Sequence, residues 1–151
     1  MQPIAATKLH APPLNPAVIP RPRLLQRLTE GRDAGHGLTL VVAPAGYGKS
    51  TLLTAWLHGA DGPAGWVSLD EGDNDPVRFG ACLTAALARS LGDEPLQTTA
   101  SVLRLPQAVS PETLAAHLIN DVAALTVPIL LVLDDYHVIT EQAVHQIVQT
   151  L

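Results

Sequence analysis

Two short apolar or β-branched runs, 38–43 and 129–133, stand out against stretches in which apolar residues recur every three to four positions. Runs of that length bounded by turn residues predict buried strands, and the recurring pattern predicts helices packed on them. Pro22, tolerated in a first turn, and the face Leu24, Leu25 and Leu28 predict a short helix to Glu30, stopped at Gly31. A strand over 38–43 and a helix over 49–57 follow, closed by Gly59, Asp61, Gly62 and Pro63. A second strand is expected over 65–69. Asp75 then reads as an N-cap with Pro76 at the first helical position, opening a helix whose face is Phe79, Cys82, Leu83, Ala86, Leu87 and Leu91 and which Gly92 closes. Residues 93–109 lack a period and read as a loop. Ser110-Pro111 opens a helix with the stripe Leu114, Leu118, Val122 and Leu125, the strand 129–133 follows, and Thr140 caps a last helix presenting Val144, Ile147, Val148 and Leu151. Strands alternating with helices predict an α/β fold with a mostly parallel sheet flanked by helices. The proline-rich residues 1–21 are expected to form an extended arm, and 22–151 the domain.

The 151 residues are 47% hydrophobic and 15% charged, a globular composition of about one domain's size. A net charge of −5 argues against this segment holding nucleic acid itself. The single cysteine, Cys82, excludes an internal disulfide, and no Cys/His spacing suits zinc, so a reducing cytoplasm is the expected setting. No apolar run is long enough to span a bilayer, and the start lacks a signal-peptide core, so no membrane role is expected.

Chemistry enters after the first strand. Ala43-Pro44-Ala45-Gly46-Tyr47-Gly48-Lys49-Ser50 meets the phosphate-loop pattern G-x-x-x-x-G-K-[ST] at every fixed position except the first, where alanine replaces glycine. A triphosphate needs a concave row of backbone N–H groups, and Gly46 and Gly48 let the chain curl around it. Ala45, Gly46, Tyr47, Gly48, Lys49, Ser50 and Thr51 are therefore the expected nucleotide contacts. Lys49 would reach the β- and γ-phosphates, Ser50 would ligate Mg²⁺, and Thr51 would reach the α-phosphate. Ile19 and Arg21, an apolar ledge with a cation, are candidates to hold an adenine ring.

The strand 129–133 ends in Asp134 and Asp135. Ligands in open α/β sheets lie beyond the carboxyl ends of strands, so Asp134 is the expected Mg²⁺ acid and Asp135 the carboxylate that polarises an attacking water. Tyr136 and His137 either line this site or cap its turn; the sequence leaves both open. Asp70, Glu71, Asp73 and Asp75 suggest calcium, but they lack the register and distal glutamate of a calcium loop. His117 has no partner in sequence that would make it a ligand.

Thr7-Lys8-Leu9, 19–24, the phosphate loop, Trp66 through Asp75 with Arg78-Phe79, and Leu133-Asp134-Asp135-Tyr136-His137 together resemble the N-terminal ATP-binding segment of the MalT-like, LuxR-type regulators of the STAND class of P-loop ATPases. The resemblance implies a P-loop NTPase-like fold that binds ATP or ADP with Mg²⁺ as a switch. It implies self-association of a longer parent in the ATP state, and DNA contact only through a C-terminal helix-turn-helix beyond this sequence. It further implies that later sheet strands, sensor and DNA-binding domains are missing here, so that this segment alone would hydrolyse ATP negligibly. The competing readings are a stand-alone P-loop hydrolase or small-molecule kinase, for which 93–109 offers only Arg104 as a lid arginine, and an inactive gene fragment.

Overall fold

A computed structural model describes residues 4–92, 94–105 and 109–151. The chain forms two compact units, one of Ala11–Asp61 and one that joins Met1–His10 to Gly62–Leu151.

The smaller unit holds two helices, α1 (Pro22–Asp33) and α2 (Lys49–Gly59). Pro22 does open α1, but the helix runs through Gly31 and closes when the Ala34 N–H bonds the Glu30 carbonyl. The left-handed turn falls instead at Gly35, with φ 77°. The two helices meet where the Trp56 indole N–H donates to Thr29 Oγ1 at 3.0 Å, and Leu28, Leu52 and Trp56 are buried. The strand expected over 38–43 does not form: among the described residues this segment pairs with no strand. Leu38, Leu40 and Val42 stand 67–80% exposed. A strand is defined by its neighbour's N–H and C=O groups, so an apolar run without one stays extended and unpaired.

The larger unit is α/β: β1 (Ala64–Ser68), α3 (Pro76–Leu91), α4 (Gln97–Leu103), α5 (Pro111–Ala123), β2 (Leu130–Asp134) and α6 (Gln142–Thr150). β1 and β2 pair in parallel from Ala64↔Leu130 to Ser68↔Asp134. Val67, Phe79, Leu83, Leu87, Leu118 and Val144 form the centre of the core, with Cys82 among them. Gly80 permits the close approach of α3 and α5, because a Cβ there would lie 2.6 Å from Leu114 Cδ2. Asp75 and Ser110 cap α3 and α5 as expected, accepting from the N–H groups of Arg78 and Thr113.

Three local expectations fail. The arm contains a 3₁₀ turn at Ala6–Leu9. The stretch 93–109 holds α4, while Asp93 and residues 106–108 of it lie outside the described residues. Seven residues are too few to register a helical period. They are fixed instead by Thr99, whose N–H and hydroxyl both donate to Asp121 Oδ2 on α5 at 2.8 and 2.7 Å. Thr140 does not cap α6. Its N-cap is Glu141, which makes no side-chain cap bond.

The acidic loop after β1 is a capping box around the 3₁₀ turn Glu71–Asn74: Asp70 accepts from the Gly72 N–H, and Asp73 from the Asp70 N–H. Asp73 is fully buried, yet its charge is met by Lys8 and by Arg78, whose Nε lies 3.2 Å away. Burial by itself would lower the Lys8 pKa, but hydrogen bonds to Asp73 and Asp70 outweigh it and raise the pKa above the ordinary value. The Lys8 bonds likewise hold Asp70 below the usual carboxylate range. Cys82 points its thiol at Asp73, and burial, reinforced by that carboxylate, pushes its pKa up from 9.0 to about 11.

A raised thiol pKa means the fold rejects the thiolate, so this contribution is complete below the unfolded value and is lost as pH rises through the folded one. Stability should therefore fall between about pH 9 and about pH 11, and Cys82→Ala should flatten that slope even though it lowers stability at neutral pH. Urea midpoints measured across this range check it; identical slopes in both proteins would contradict it.

Candidate functional site

The turn 44–48 leads into α2, whose first intrahelical bond runs from the Leu52 N–H to the Gly48 carbonyl at 2.9 Å. Gly46 and Gly48 have φ of 80° and 74°, a left-handed conformation that side chains with a Cβ rarely adopt. Two such residues flank Tyr47, whose N–H donates to the Pro44 carbonyl at 3.4 Å, and close a tight turn directly before the N-terminus of α2, the end of a helix that favours an anion. Lys49, at the first helical position, curls back over the loop and donates from Nζ to the carbonyls of Ala43 (2.8 Å) and Pro44 (3.2 Å).

Arg21 reaches the same turn. Its Nη1 donates to the Tyr47 carbonyl at 2.8 Å, and its guanidinium lies against Gly48. Arg21, Tyr47, Gly48 and Lys49 also line an open cleft of about 710 Å³ that includes Leu24 and Leu52, a size suited to a small-molecule ligand. Ile19 is 81% exposed and is not among the described residues lining it. Ala45 is exposed, while Ser50 and Thr51 are half-buried on the first turn of α2. Two cations, two left-handed glycines and a helix N-terminus fit a nucleotide's phosphates, and the Ser50 hydroxyl has the oxygen chemistry of a Mg²⁺ ligand.

Asp134 and Asp135 belong to the larger unit. Asp134 ends β2, is 9% exposed, and its carbonyl accepts from the Leu69 N–H at 3.0 Å. Asp135 is the only non-glycine with positive φ among the described residues, at 57°. Its carboxylate is half exposed, with His137 Nδ1 3.8 Å away. Aspartate tolerates this backbone region better than most residues, but holding it there takes outside support. Tyr136 is held by α6: its hydroxyl contacts His145 Nδ1 at 2.6 Å, and burial raises its pKa. His137 is exposed. The residue that sequence reasoning missed is Asn74, which bonds Val138, Thr140 and Glu141. No local pattern marks it, because its partners lie more than sixty positions away.

A glycine-rich loop entering a helix and a parallel strand ending in acids define the class of phosphate-loop nucleotide-binding proteins. The family model described as the AAA ATPase domain matches residues 21–151, and the chain belongs to that family. Over 140 residues it is 38% identical to the HTH-type transcriptional regulator MalT of Cronobacter sakazakii (strain ATCC BAA-894) and 39% identical to that of Serratia proteamaculans (strain 568). Each match covers 93% of this chain, which spans about 15% of the length of these relatives. Among the described residues no helix is long and apolar enough to cross a membrane.

The loop geometry predicts unequal glycines. Gly48→Ala should destabilise by about 1–2 kcal/mol through its left-handed φ. Gly37→Ala, where φ is not positive and no atom lies within 4 Å of the new Cβ, should be neutral or slightly stabilising. Thermal unfolding of both variants checks this, and equal shifts would contradict the strain argument.

Proposed function

We propose that this chain is the ATP/Mg²⁺-binding switch module of a MalT-like, LuxR-type transcriptional regulator of the STAND class. The observation that carries the reading is the loop itself: Gly46 and Gly48 in left-handed conformation, with Lys49 folded over the turn and Arg21 bonded to it. In this reading the N–H groups from Ala45 to Thr51 cradle the phosphates and Lys49 neutralises the β- and γ-groups. Arg21 and Ile19 serve the adenine end. Ser50 and Asp134 would hold Mg²⁺, which supplies charge neutralisation across the phosphates, and Asp135 orients and polarises the attacking water. ATP or ADP is then the signal that sets the state of a longer cytoplasmic parent. That parent would self-associate in its ATP state and reach DNA through a separate helix-turn-helix. The similarity to two MalT regulators over nearly all of this chain supports the assignment.

Ligand linkage gives the test. At a hundredfold excess over Kd, Mg²⁺-nucleotide should stabilise the fold by about 2.7 kcal/mol, a rise in melting temperature of roughly 5–11 °C for a domain of this size. Lys49→Ala should abolish most of that rise while leaving the unliganded midpoint near wild type; full retention of the rise would refute the phosphate-loop assignment.

The two acids should separate. Asp134→Asn should weaken Mg²⁺-dependent nucleotide binding by about tenfold or more, whereas Asp135→Asn should spare binding and slow hydrolysis in the longer parent. Calorimetric titration and single-turnover hydrolysis distinguish them, and indistinguishable variants would remove the division of roles.

A further inference from the structure

Asn74 uses both ends of its side-chain amide. Nδ2 donates to the carbonyls of Glu71 at 3.1 Å and Val138 at 3.0 Å. Oδ1 accepts from the backbone N–H groups of Thr140 at 2.7 Å and Glu141 at 2.9 Å, and from the Thr140 hydroxyl at 3.2 Å. These partners flank Ile139, a buried residue at the end of the 3₁₀ turn Tyr136–Val138. At the other end of the same segment, the Leu69 N–H bonds the Asp134 carbonyl. The loop after β1 thus grips the 134–141 segment at both ends, and between the grips lies Asp135 in its left-handed conformation.

We propose that Asn74 is a positioning residue for the acid pair, its amide clamping the turn after β2 so that the Asp135 carboxylate is held in one place. The proposal rests on the reading of Asp134 and Asp135 as metal and water acids. Asparagine is the side chain this clamp requires. Aspartate would keep the acceptor for Thr140 and Glu141 but would set a carboxylate against the Val138 and Glu71 carbonyls, with no N–H to offer. The amide's two halves therefore have different duties: Oδ1 holds the Thr140 and Glu141 N–H groups at the entry to α6, and Nδ2 secures the turn.

Asn74→Asp separates the duties in the full chain. Thr140→Ala, which removes only the hydroxyl bond, serves as the control and should behave as wild type. In Asn74→Asp, amides along α6 should keep their exchange protection, while the Val138 and Ile139 amides should exchange about tenfold faster. The intraresidue NOE between the Asp135 amide and α-protons, strong where φ is positive, should weaken. ATP affinity with and without Mg²⁺ should stay near wild type, because the Leu69 bond still holds Asp134, whereas single-turnover hydrolysis in the longer parent should slow about tenfold. The proposal is overturned if the Asp135 NOE and the turn amides stay at wild-type values, or if α6 and the turn loosen together, since Asn74 would then only anchor the entry to α6. If wild-type protein gains no affinity from Mg²⁺, the metal reading of Asp134 falls separately. Loss of the Asp135 signature in Asn74→Asp would still uphold the clamp.

Discussion

Five parallel pairs, from Ala64↔Leu130 to Ser68↔Asp134, decide how the larger unit is arranged. Parallel pairing puts both strands' carboxyl ends on one edge, so the two loops that follow must leave side by side. The Leu69 N–H continues the ladder by one bond to Asp134. From there the β1 loop turns through its capping box and brings Asn74 to the far end of the acid turn. A helix between the strands is the cost of parallel connection, and α3, with Phe79 and Leu83 fully buried, turns that connection into the core.

In the smaller unit the governing constraint is local. The loop shape needs two residues in the left-handed region within three positions, which glycine supplies with little strain, and it needs α2 to begin at once so that the helix N-terminus faces the turn. Arg21 comes from the residue before α1, where Pro22 fixes the start of that helix. The order of residues thus delivers one cation from the arm and one from the loop to the same backbone turn.

What was legible in the sequence is what short-range chemistry encodes. Asp75 and Ser110 cap their helices because each is followed by proline and by an apolar period. The Gly46-Tyr47-Gly48-Lys49 geometry follows from glycine's freedom alone. What was not legible depends on distant partners. The run 38–43 has strand composition, but pairing is a property of two segments, and composition reports only one. The short α4 is secured by Asp121, some twenty residues on, and the entry to α6 is held by Asn74 rather than by a cap bond from Thr140. Local propensity proposes Thr140 as a cap, and a better-placed remote amide wins.

The acids that follow β1 serve the fold. Asp70 accepts from Gly72 and pairs with Lys8, Asp73 is buried between Lys8 and Arg78, and Asp75 caps α3. A buried charge is tolerated only when its partners replace water, and Asp73 has such partners in Lys8, Arg78 and the Asp70 N–H. The acidic run that invites a metal in the sequence is therefore occupied in holding the fold. Asp135 is arranged differently: its backbone is placed in an uncommon conformation, while its carboxylate remains half exposed, with His137 Nδ1 3.8 Å away. An uncommon backbone conformation, closed by the Val138 N–H bond to the Asp135 carbonyl and carrying an accessible carboxylate, supports the proposal that this acid serves a reaction rather than the packing of the fold.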